Sequence, residues 1–284
     1  MTIKEKFEEL KKKKEGALIG FVMAGDPSPA ETFEIVNSLI RGGVDIIELG
    51  LPFSDPIADG VVIQKAAERA RKLGMNPDLY FKIVREIKGV PKACLTYYNL
   101  VLQRGLEKFV LDCQRAGISG LIVPDLPIEE AEPLLNFCHK YDTNLIFLAA
   151  PTTTEERLRK ILSVSQGFLY VVSLLGATGA REKLSKGLKP LLVKIKKFSQ
   201  GIPLAVGFGI SKPEHVKEVL SAGADGAIVG SALIKIIEKN LDHLHGRIRI
   251  PRDQRSRVAQ FACKKMFSEL ENFVRKLKEA TKVI

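Results

Sequence analysis

Short apolar runs and amphipathic stretches alternate along this chain from one end to the other. The runs at 17–23, 44–49, 93–98, 120–123, 144–149, 168–173, 202–206 and 226–229 are rich in Val, Ile, Leu and Ala. Runs this short read as strands. Between them, the stretches 29–41, 106–116, 129–141, 155–165, 189–199 and 213–222 bring apolar residues back at helical spacing. The strand runs are apolar throughout rather than alternating, so both faces are buried, as in a parallel sheet covered by helices. Eight such units joined by short Gly/Pro loops predict an α/β fold, a single closed parallel (β/α)8 barrel of the TIM type. The rival, an open doubly wound sheet, needs a glycine fingerprint after its first strand. Phe21-Val-Met-Ala-Gly-Asp-Pro27 is not one.

No linker or change of composition divides residues 1–284, so one domain is expected. Residues 1–15 form an amphipathic helix with Ile3, Phe7 and Leu10 on one face, suited to closing the barrel floor. The barrel takes residues 16–238. Residues 239–284 hold a basic excursion and a final long helix near 255–282.

Composition narrows the function. Of 284 residues, 45% are hydrophobic and 27% charged, enough for a large core, and no apolar run reaches the length of about eighteen residues that a membrane span requires. The N-terminus lacks the apolar core of a signal peptide, so a cytoplasmic protein is expected. Cys94, Cys113, Cys138 and Cys263 are scattered, and His243 and His245 have no acidic or cysteine cluster nearby. Neither pattern suggests a metal site. The net charge of +11 points to an anionic partner. It is diffuse outside 247–257, with no interleaved aromatics and no nucleic-acid motif, which argues against DNA or RNA.

The stretch Glu48-Leu-Gly-Leu-Pro-Phe-Ser-Asp-Pro-Ile-Ala-Asp-Gly60 carries the chemistry. It places Glu48 at a strand's C-terminal end and brings Asp59 over the same end on a proline-stiffened loop. Two carboxylates in different surroundings can divide acid and base work at neutral pH. The plainer alternative is a βα connection in which Glu48 makes a salt bridge and Asp59 caps the next helix. In a barrel, phosphates are often held after strands seven and eight. Gly207-Phe-Gly-Ile-Ser211 and Gly230-Ser-Ala232 lie there, the second opening a helix, and Thr178-Gly-Ala180 follows strand six. Glycine lets backbone N–H groups approach an anion closely, and a helix N-terminus adds positive charge.

Taken in order, these motifs resemble the tryptophan synthase α-subunit family, from the N-terminal helix to about Ile237 and again in the last helix. The resemblance implies a carbon–carbon lyase: retro-aldol cleavage of indole-3-glycerol phosphate to indole and glyceraldehyde 3-phosphate, late in tryptophan biosynthesis. It implies Glu48 and Asp59 as catalytic residues, and Phe21, Leu95, Tyr170 and Thr178 around the indole. Gly179, Phe208, Gly209, Gly230 and Ser231 would hold the phosphate. It implies no cofactor in this chain and a pyridoxal-phosphate β subunit as partner, in an α2β2 assembly that passes indole through a tunnel. Pro52, Asp55 and the stretch Tyr97-Tyr-Asn99-Leu100 would face that partner. Two departures stand out: Leu174 and Leu175 where relatives are often more polar, and 240–257 as an apparent insertion. A free-standing indole-releasing lyase and a non-catalytic phosphate-binding barrel remain as alternatives. A Schiff-base aldolase is disfavoured because no buried lysine is expected at a strand end.

Overall fold

The computed structural model describes residues 1–172, 187–199, 201–207, 209–241 and 255–282, with side chains in the last stretch from Cys263 onward. Thr178, Gly179, Phe208, Leu174, Leu175 and residues 242–254 lie outside the described residues. The strands are β1 (Ala17–Met23), β2 (Ile46–Gly50), β3 (Lys92–Leu95), β4 (Ile118–Ile122), β5 (Asn144–Ile146), β6 (Leu148–Ala149), β7 (Leu169–Val172), β8 (Leu204–Gly207) and β9 (Gly226–Val229). Their order is β5-β4-β3-β2-β1-β9-β8-β7-β6, and every pairing among them is parallel. β5 and β6 are halves of one stave broken at Phe147. β5 pairs with β4 and β6 with β7, so this stave joins both ends of the order and closes the barrel. The expected eight-stave barrel is therefore present.

Period-two alternation sorts side chains into barrel interior and helix-facing layer. Ala17, Ile19, Ile46, Ala93, Ile122, Ile146, Phe168, Ala205 and Ile228 fill the interior. Helix α1 (Ile3–Lys13) closes its floor as expected, starting from a Thr2/Glu5 capping box. Its Ile3, Phe7 and Leu10 join the interior cluster, with the Phe7 ring 5.8 Å from that of Phe168. Gly120 makes room, since a Cβ there would sit 2.6 Å from Ile3 Cδ1. Each apolar side chain buried this way contributes about 2 kcal/mol.

The outer layer contains α2 (Pro29–Gly42), α3 (Val61–Lys72), α4 (Pro77–Glu86), α5 (Tyr98–Arg104), α6 (Leu106–Arg115), α7 (Glu132–Lys140), α8 (Glu155–Val164), α9 (Leu188–Lys196), α10 (Pro213–Ser221), α11 (Ser231–Lys239) and α12 (Arg255–Glu279). On α12, Met266, Leu270, Val274 and Leu277 form a buried stripe. The helix lies close against α2, where a Cβ on Gly42 would sit 2.7 Å from Val274 Cβ. Lys278 then reaches the Asp45 carboxylate, 2.9 Å away.

One strand expectation needs correction. The apolar run 93–98 does not continue as a strand, because the Asp125 carboxylate accepts the Tyr98 N–H at 2.9 Å and Tyr98 opens α5. That cap comes from the loop after β4 and leaves no local trace. A second correction concerns lysine: Lys92, at the start of β3, is only 4% exposed. It sits at the end of the strand opposite the barrel mouth and points outward, between strand and helices. Its Nζ donates to the carbonyls of Val84, Ile87 and Ala116 at 2.8, 2.8 and 2.6 Å.

Candidate active site

The barrel mouth gathers its groups from the next inward layer. Phe21 and Glu48 are in register on β1 and β2, Leu95 lies opposite Gly50, and Tyr170 and Gly207 come from β7 and β8. Glycines clear the space these side chains occupy. A Cβ on Gly207 would meet the Tyr170 hydroxyl at 2.5 Å, one on Gly50 would meet Phe21 Cζ at 3.0 Å, and one on Gly230 would meet Phe21 Cδ1 at 3.1 Å. Phe21 and Tyr170 are buried and Leu95 is partly exposed.

Glu48 is 1% exposed, and its Oε2 has no hydrogen-bond partner. Such an atom is costly to bury and marks either a ligand site or strain. Burial first, and the negative Asp59 second, push the Glu48 carboxyl up to about 8. Asp59 is half-buried, and burial raises it too, opposed by a hydrogen bond from Tyr97. The Tyr170 hydroxyl is pushed far up, by burial and then by the fields of Glu48 and Asp59, which places all three around one space. The plainer alternative for the two carboxylates fails. The N-cap of α3 is Gly60, with no side-chain cap, and Gln64 Nε2 takes only the Asp59 backbone carbonyl, at 2.8 Å.

Tyr97 is the group that reading the sequence misplaced. The stretch 97–100 is expected on the partner face, but Tyr97 is buried and turned to the site. Its hydroxyl faces the Asp59 carboxylate and accepts the Ala58 N–H at 3.1 Å, and its ring stacks on Phe53 at 5.4 Å. Tyr97 thus holds the 51–60 loop over the mouth. The signal was the spacing of Ala93, Leu95 and Tyr97, three consecutive positions on one side of an extended run. Of the other rim residues, Asp55 and Asn99 are exposed while Pro52 is buried within the chain.

At the other side of the mouth, Gly209 is exposed with φ +77° in the loop after β8. Gly230 is the N-cap of α11, and no side chain caps that helix, so the amides at Ser231 and beyond face outward. Thr178, Gly179 and Phe208 lie outside the described residues. A separate cleft of about 590 Å³ opens between the loops after β4 and β6, with Asp125, Phe147, Thr153 and Arg157 in its wall. Neither Glu48 nor Asp59 lines it, so this cleft is not the site that the carboxylates and glycines mark. Among the described residues, no His/Cys/Asp/Glu group is arranged to hold a metal ion, and no helix is long and apolar enough to cross a membrane.

Comparison with known proteins agrees with this geometry. Residues 7–282 match the family model described as tryptophan synthase alpha chain. The tryptophan synthase alpha chain of Methanosarcina barkeri is 56% identical over 241 residues, covering 84% of this chain and 90% of that protein. That of Methanocaldococcus jannaschii is 54% identical, covering 88% and 89%. Among solved structures, Mycobacterium tuberculosis tryptophan synthase superposes with a TM-score of 0.85 at 30% identity, covering 99% of this chain and 98% of that one. A Pyrococcus furiosus chain, from a study of mutual activation in the tryptophan synthase α2β2 complex, gives 0.77 at 38% identity, covering 93% and 98%. The barrel, the paired carboxylates at its mouth and these matches agree: the chain belongs to the tryptophan synthase alpha chain family.

Proposed function

We propose that Glu48 and Asp59 are the catalytic carboxylates with which this lyase cleaves indole-3-glycerol phosphate to indole and glyceraldehyde 3-phosphate, Glu48 moving the protons and Asp59 stabilising charge. The observation that carries this reading is the buried Glu48 carboxyl, whose Oε2 has no partner and which burial lifts to about 8. Cleavage requires a proton at C3 of the indole, so that the ring accepts electrons as the bond to the side chain breaks. It also requires the neighbouring hydroxyl to lose its proton as it becomes the aldehyde. A carboxyl poised near neutrality is protonated enough to give the first proton and basic enough to take the second. Asp59 faces the indole N–H, where its negative charge stabilises the positive charge that builds on the ring nitrogen. Phe21, Leu95 and Tyr170 pack the indole, and Thr178 is assigned to the same pocket as a hydrogen-bond partner of Asp59. Gly179, Phe208, Gly209, Gly230 and Ser231 hold the phosphate.

The partner fits the same face. Ile57 is 79% exposed on the loop that carries Asp59, with Val61 and Leu102 also exposed nearby. Apolar side chains left in water beside a catalytic mouth suit burial against another subunit. Asp55 and Asn99 lie on that rim, above the buried Pro52. We assign the partner as a pyridoxal-phosphate β subunit in an α2β2 assembly in the cytoplasm.

The test is indole release from indole-3-glycerol phosphate by the purified chain, with and without such a β subunit. Weak release that rises strongly on mixing is expected. Fast release indifferent to the partner would favour a free-standing lyase, and none in either case would overturn the reaction.

A further inference from the structure

The loop after β8 is gripped from behind by a histidine that has no part in the assignments above. His215 lies in the first turn of α10 and is 5% exposed. Its Nδ1 stands 3.2 Å from the Gly209 carbonyl oxygen and 3.3 Å from the Ser211 amide nitrogen. One ring nitrogen cannot satisfy both neighbours. Bearing a lone pair, it accepts the Ser211 N–H and leaves the carbonyl facing another acceptor. Bearing a proton, it donates to Gly209 and leaves the Ser211 N–H facing another donor.

We propose that His215 is a positioning residue of the phosphate subsite, whose Nδ1 latches the Gly209–Ser211 backbone so that Ile210 presents its N–H to the anion. This rests on reading that loop as the holder of the substrate phosphate. The argument is one of peptide geometry. In a trans peptide the C=O and N–H point in opposite directions. With the Gly209 carbonyl turned to the ring, the Ile210 N–H must point away from α10. Gly209, at φ +77°, takes the left-handed conformation this turn needs. A proton on Nδ1 strengthens the hold on the Gly209 carbonyl and so fixes a donor outward. Because anions are bound by such donors, an occupied subsite selects the Nδ1–H form of the ring.

The experiment measures glycerol 3-phosphate binding by calorimetry on the full chain, for wild type, His215→Ala and His215→Asn. Steady-state cleavage and histidine ¹⁵N spectra accompany it. Loss of one such brace predicts about tenfold weaker binding in His215→Ala, with KM rising in proportion and kcat changing less than about twofold. Asparagine offers a donor and an acceptor on separate atoms, so His215→Asn stays within about twofold of wild type. In the wild type, saturation with glycerol 3-phosphate moves the His215 proton to Nδ1. Wild-type affinity in His215→Ala, or a loss that Asn does not restore, overturns the latch alone. If His215→Ala does not fold, an Asn variant with weakened binding or a ring whose ¹⁵N shifts ignore the ligand does the same. No binding by the wild type brings down the phosphate reading and the latch together.

Discussion

Glu48 and Lys92 occupy adjacent strands one step apart in register, since Ile47 pairs with Lys92 and Glu48 with Ala93. Both are almost wholly buried, and burial pushes each to about 8, the acid upward and the base downward. Their surroundings differ completely. Lys92 points outward beneath the C-terminal ends of α4 and α6, where three carbonyls take its three protons and helix dipoles favour a cation. Glu48 points inward, at the mouth, with an oxygen left unpaired. A buried charge given every partner secures the fold. A buried carboxyl denied one stays protonated near neutral pH and is held ready for a ligand.

This contrast can be broken from either side. The largest expected effect is on chemistry: Glu48→Gln lowers kcat for cleavage by about 10³-fold while substrate still binds, measured by indole release and by calorimetry. Removing the satisfied charge does the reverse. Lys92→Met strands three carbonyls and costs about 3 kcal/mol in denaturant unfolding, with kcat for cleavage unchanged. Tyr97→Phe sharpens the site's side of the comparison. Without its hydroxyl, Asp59 and the Ala58 N–H lose their common partner, and kcat falls by about tenfold.

Two pH measurements follow from the Glu48 carboxyl. In the proposed mechanism the protonated acid begins the reaction, so kcat is expected to decline as pH rises through about 8 rather than through the ordinary carboxylate range. The smallest effect is on stability. Because the folded-state value lies above the unfolded one, the stability linked to Glu48 is complete below 4.5 and is lost as pH rises to about 8. Glu48→Gln abolishes that dependence, so thermal melting of the two proteins diverges across this window, with the variant higher at its upper end. Parallel melting curves from pH 4 to 9 would mean that Glu48 is not held out of its normal range.

Much of this molecule was open to reading from the chain alone. Burial on both faces of a parallel sheet forces unbroken apolar strands, which is why runs such as 17–23 and 226–229 match β1 and β9 to the residue. The floor helix followed from Ile3, Phe7 and Leu10, since a three- and four-residue spacing defines one helical face whatever lies across from it. Glu48 and Asp59 stood out because acids beside prolines and glycines after an apolar run serve no packing purpose.

The remainder depended on groups distant in sequence. The end of β3 is set by Asp125, the buried state of Lys92 by carbonyls of two helices, and the role of Tyr97 by the loop it ties down. The hold on Gly209 and Ser211 falls to His215, unremarkable in a run of helix residues. Local sequence determined which segments are strands and helices and which residues carry charge, because backbone propensity and periodicity are short-range. Tertiary structure alone decided which buried charges are satisfied and which are left open, because a hydrogen-bond partner or a neighbouring field acts through space and is not encoded at the position that feels it.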